Sequence, residues 1–109
     1  SEFAFGAAIG ACGRAGRWAE AIALAEGMRL AEVRPNAACC NAAISACERA
    51  GMWRVALEVL SAMPTWEVAP NVVSYGSAVK ACEKGRCWEG AVAIFDDMRL
   101  AAVEPNAIS

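Results

Sequence analysis

The chain has no histidine, and its six cysteines include no Cys-x-x-Cys pair. Zinc sites of usual spacing and Cys/His nucleophiles therefore cannot be assembled. Cys39, Cys40 and Cys87 fall outside any metal pattern. Neither a catalytic carboxylate pair nor a phosphate-cradling loop is found, so no enzymatic activity, metal or cofactor is expected. Charges or glycines interrupt every apolar run well before the roughly 18 residues that a membrane span needs, and no membrane partner is expected. A strong basic excess is also missing: the net charge is −2, which argues against a basic nucleic-acid tail. With no basic, apolar leader present, no address can be read directly. The absent initiator methionine and the lack of a polar capping helix lead us to expect a segment of a longer array.

What the sequence does have is a repeat. Cys12, Cys47 and Cys82 are 35 residues apart, as are Trp18, Trp53 and Trp88, then Met28, Met63 and Met98, and Val33, Val68 and Val103. Pro35-Asn36, Pro70-Asn71 and Pro105-Asn106 close the copies at the same interval. Three copies are expected at 2–36, 37–71 and 72–106, with 107–109 starting a fourth. Three is about the minimum for a stable stack.

Within the middle copy, Cys40, Ala43, Ile44 and Cys47 fall at i, i+3, i+4 and i+7, one apolar stripe of a helix. After Gly51 the pattern restarts on Trp53, Ala56, Leu57, Leu60 and Met63. Gly51 suits a left-handed helix end, and Pro64 should stop the second helix early. Each copy thus reads as a helical hairpin too small to bury its own apolar faces. The helices are expected near 4–14, 17–31, 38–49, 52–63, 73–84 and 87–101. Trp66 is expected to pack back on the stack, and the three register tryptophans to serve as core. Cys12, Cys47 and Cys82 are expected to be buried free thiols, since without a secretory signal reduced cysteines behave as small hydrophobes.

The charges are sorted. The three first-helix windows carry +2, from Arg14, Arg49, Lys80 and Lys84 against Glu48 and Glu83, and the rest of the chain carries −4. Arg14, Arg49 and Lys84 share one register position late in the first helix.

The 35-residue period, the runs VVSYGSAVKACEKG at 72–85, NAAISACERAG at 41–51 and AGRWAEAIAL at 15–24, and the closing Pro-Asn resemble pentatricopeptide repeat proteins. The tetratricopeptide repeat is the nearest competitor, with a period of about 34 and tryptophan opening its first helix. Here tryptophan opens the second helix. The resemblance implies an all-α, right-handed α-solenoid that binds single-stranded RNA, one base per repeat.

The resemblance also implies which residues do so. The base-reading pairs would be Gly6 with Asn36, Asn41 with Asn71, and Gly76 with Asn106. Phe3, Ala38 and Val73 would sandwich the bases, and Arg14, Arg49 and Lys84 would face the RNA backbone. Asn with Asn would favour a pyrimidine and a small residue with Asn adenine, giving adenine, pyrimidine, adenine from 5′ to 3′. A monomer acting in organellar RNA processing, stability or translation, in a mitochondrion or plastid, follows from the same resemblance. A protein-binding scaffold of tetratricopeptide type is the alternative, supported by the overall acidity.

Overall fold

A computed structural model describes residues 2–100. Val103, Pro105, Asn106 and the expected start of a fourth copy at 107–109 lie outside the described residues. The described residues are all-α: α1 (Glu2–Arg14), α2 (Trp18–Leu30), α3 (Ala37–Ala50), α4 (Trp53–Ala62), α5 (Val72–Lys84) and α6 (Trp88–Leu100). A 3₁₀ turn at Pro64–Trp66 follows α4. Proline cannot donate to the preceding turn, and α4 accordingly has only 10 residues where α2 and α6 have 13.

The starts of α3 and α5 are set by the Pro-Asn pairs. Asn36 accepts the backbone N–H of Cys39 at 2.9 Å. Asn71 accepts those of Val73 and Ser74, both at 3.1 Å. Each asparagine satisfies donors that a helix start leaves without partners. At Asn71 the cap is reciprocal, because the Ser74 hydroxyl accepts the Asn71 backbone N–H at 3.1 Å.

The hairpins stack in two layers. The first helices α1, α3 and α5 pack side by side, while α2 sits against α1 and α3, and α4 against α3 and α5. One continuous core results, and the chain is a helical-hairpin solenoid. Ile9, Met28, Ile44, Met63, Cys47 and Cys82 are fully buried in it. Small residues such as Ala43, Ala56, Ala78 and Ala81, all buried, let the helices approach closely.

Two expectations about register residues change. Trp18 and Trp53 are half-buried, but Trp88 is 70% exposed. The Trp53 ring lies on α5 of the next hairpin, against Gly85, and no described hairpin follows α6 to receive Trp88 in the same way. Cys12 is only half-buried, unlike Cys47 and Cys82. Both α3 and α5 are covered by the outer helix of the preceding hairpin, whereas α1 has no such neighbour among the described residues. Trp66 does pack back: it is half-buried and carries the Arg29 guanidinium 5.3 Å from its ring centroid.

The first helix ends on a left-handed residue in every hairpin: Gly16 at φ 76°, Gly51 at φ 73° and Arg86 at φ 57°. In the third hairpin the glycine stands one place earlier, at Gly85, where a methyl group would lie 2.0 Å from Cδ1 of Trp53. Gly85→Ala should therefore destabilise the fold by about 1–3 kcal/mol through overpacking. Arg86→Gly should stabilise it by about 1 kcal/mol by removing left-handed strain. Thermal melts of the two variants check these opposite signs.

All six cysteines are free. Burial pushes the Cys40 and Cys47 thiols up to about 11 from the ordinary 9.0. Burial raises Cys82 and Tyr75 in the same direction. A folded-state value above the unfolded one means that this contribution to stability is complete below about pH 9 and is lost as pH rises towards 11. The melting temperature should fall over that window, and the fall should shrink in Cys40→Ala/Cys47→Ala. Thiol labelling at neutral pH should reach Cys12 and Cys87 well before Cys47 and Cys82.

Candidate functional site

The first turns of α1, α3 and α5 present exposed apolar side chains. Phe3 is 83% exposed, Val73 54%, and Ala38 is also exposed. Such exposed groups are surface that flat aromatic rings can cover. Between the first two hairpins Phe3, Gly6, Ala7, Asn36, Ala38 and Cys39 line an open cleft of about 290 Å³. Four of these are the residues singled out for sandwiching and reading a base at the first junction.

At the second junction the structure brings Asn41 and Asn71 into contact. The Asn41 amide nitrogen donates to Oδ1 of Asn71 at 3.2 Å. The Ser74 hydroxyl reaches both amides, bonding Oδ1 of Asn41 and lying 3.1 Å from Oδ1 of Asn71. Helix α3 positions Asn41 on its half-exposed side, and the α5 cap positions Asn71. Gly76 opens onto space, with nothing within 4 Å of where a side chain would start. Its expected partner Asn106 lies outside the described residues.

Arg14, Arg49 and Lys84 each occupy the last turn of a first helix and are exposed. Cations there are favoured by the helix dipole whatever their other role. They are not equivalent. Lys84 is held by the Glu48 carboxylate and lies 3.2 Å from the Glu48 carbonyl oxygen. Arg14 and Arg49 have no ion pair among the described residues. With the helix bounds as found, Glu2 joins α1, so the inner helices carry +1 and the outer helices −3. The charge sorting survives in sign and is weaker than the sequence windows indicated.

Sequence reasoning missed Ser74 and Glu48. Ser74 stands three residues after the capping Asn71, a spacing that marks a reciprocal cap. Its reach across to Asn41 depends on how α5 docks on α3. Glu48 immediately precedes Arg49, but its partner is 36 residues away on the next hairpin.

No group of histidine, cysteine, aspartate or glutamate able to hold a metal occurs among the described residues. No described helix is long and apolar enough to cross a membrane. Comparison with curated proteins gives no match. Family models do match. The PPR repeat family covers residues 35–84, and the PPR repeat covers residues 3–33 and 73–101. This family is in general a non-catalytic repeat scaffold that binds RNA. Matched over nearly all of its length by models of 35-residue hairpins, and folded as a stack of such hairpins, the chain belongs to the pentatricopeptide repeat family.

Proposed function

We propose that the chain is a sequence-selective module for single-stranded RNA that takes one base at each junction between hairpins. The observation that carries this reading is the cleft where Phe3 and Ala38 meet Gly6 and Asn36. It offers apolar faces to stack on beside an amide to hydrogen-bond with, the two things that recognition of an unpaired base requires. The second junction repeats the arrangement with Ala38, Asn41, Asn71 and Val73, and the third would use Val73, Gly76 and Asn106. Arg14, Arg49 and Lys84, in the last turns of the first helices, would form a cationic column and neutralise backbone phosphates.

In this reading the first base is adenine, the second a pyrimidine and the third adenine. Only the second junction, with two side-chain amides, discriminates by about 1 kcal/mol, the net worth of a hydrogen bond. The module works as a monomer. Its role in processing, stabilising or translating organellar transcripts is part of the same proposal and rests on family membership alone.

Titration of labelled single-stranded RNA at low salt, followed by anisotropy, tests the reading. Saturable binding that an RNA duplex does not compete away is expected. Absence of binding to any single-stranded RNA, with capture of a helical or extended peptide instead, would support the protein scaffold.

A further inference from the structure

Among the described residues Ser74 is the one buried polar side chain, fully inaccessible on α5, and its hydroxyl touches both asparagines of the second junction. We propose that Ser74 is the positioning residue that fixes which way the Asn41 amide faces, and so sets the hydrogen-bonding polarity that this junction shows to a base. The inference rests on the RNA-binding reading above and adds to it a residue from the following hairpin.

The orientation follows from counting donors and acceptors. Asn71 caps α5, so its Oδ1 must face the Val73 and Ser74 backbone N–H groups, because an amide NH₂ cannot accept. With these bonds and the Asn41 amide N–H all converging on the oxygen, the Asn71 NH₂ is turned away from the helix. Asn41 then has one arrangement that satisfies its surroundings. Its NH₂ donates to Asn71 Oδ1, and its own Oδ1 receives the Ser74 O–H. Ser74 in turn accepts the Asn71 backbone N–H. Every acceptor of the pair is consumed internally. What remains for a ligand is N–H alone: both Asn71 amide protons and the second proton of Asn41. A donor-only reader complements a base edge bearing a carbonyl oxygen, as pyrimidines do at O2. Without the Ser74 hydroxyl the Asn41 amide is held only by its N–H to Asn71 and its oxygen is left open to a ligand, so the donor-only polarity is lost.

The first junction lacks this device at both positions. Gly6 replaces the first asparagine and Cys39 occupies the register position of Ser74. Cys39 is 2% exposed, so the packing at this position accepts a thiol, and Ser74→Cys is a variant that keeps the fold while weakening the donor. Conversely, Gly6→Asn with Cys39→Ser would rebuild the device. A side chain begun at Gly6 would lie 3.3 Å from the Cys39 sulfur, a contact that the smaller serine oxygen relieves.

The experiment measures affinities of the chain for oligo(U), oligo(C), oligo(A) and oligo(G) at fixed low salt. In Ser74→Cys and Ser74→Ala the pyrimidine-to-purine affinity ratio should drop about fivefold relative to the parent, the equivalent of one net hydrogen bond. The salt slope should be unchanged. In Gly6→Asn/Cys39→Ser the ratio should rise by about the same factor. An unaltered ratio in folded Ser74→Cys overturns the assignment. Exchange of the Asn41 side-chain amide protons in the free protein separates the two readings. If the parent binds no RNA, the proposed function falls, and the assignment stands or falls on whether Ser74→Cys speeds exchange of the Asn41 amide proton bonded to Asn71.

Discussion

Ile44→Ala is expected to destabilise the chain by about 2–5 kcal/mol, the range for deleting a buried aliphatic side chain and leaving a cavity. Ile44 is fully buried on α3, the helix that packs against α1, α2, α4 and α5. In a solenoid, stability is a sum of repeat terms and interfaces between neighbours, and this position belongs to the repeat that joins the other two. A domain of this size has only about 5–15 kcal/mol in total. The variant should thus sit near its folding limit, with a lower urea midpoint. Ile44→Val should cost about 0.5–1.5 kcal/mol, and the two together grade the site. A loss under 1 kcal/mol for Ile44→Ala would mean that the hairpins do not depend on the central interface.

The second large effect concerns salt. Each phosphate neutralised on a single strand contributes about −0.7 to the log-log salt slope. If Arg14, Arg49 and Lys84 all engage, affinity should fall about 18-fold between 50 and 200 mM salt; if Lys84 stays with Glu48, about 7-fold. We expect the smaller value for the parent, because the Glu48 carboxylate already satisfies Lys84. Glu48→Gln should then move the slope towards the three-contact value and tighten binding at low salt. Arg14→Gln/Arg49→Gln should remove most of the slope. A parent slope that Arg14→Gln/Arg49→Gln leaves intact would place the phosphate path elsewhere. The Lys84–Glu48 pair is half-exposed on the lysine side, and such pairs contribute only about 0–1 kcal/mol, so Glu48→Gln should leave the fold intact.

The hairpins themselves were legible in the sequence because they are made by local rules. Apolar residues at helical spacing, a glycine able to take φ near 73° at Gly51, a proline at Pro64 and asparagine caps after Pro35 and Pro70 act within a few residues of one another. The period of 35 then says that neighbours must cover each other. Burial of Met28, Met63 and Met98 agrees with that register. Trp88 and Cys12 departed from it because register describes a residue's position within its own hairpin. Exposure depends on which hairpin lies alongside, and the two ends of the described stack differ from its middle.

The sequence by itself determined that this chain is an array of helical hairpins and which positions are candidates to meet a ligand. Tertiary structure alone decided how those candidates are presented. Asn41 and Asn71 are 30 residues apart, and they meet only because α5 docks beside α3. The same docking places Ser74 against both amides and Glu48 against Lys84. These contacts join residues of different hairpins, whose side chains come within reach only when the helices pack. Hydrogen-bond polarity and free charge at the surface are properties of those pairings, and no local pattern encodes them.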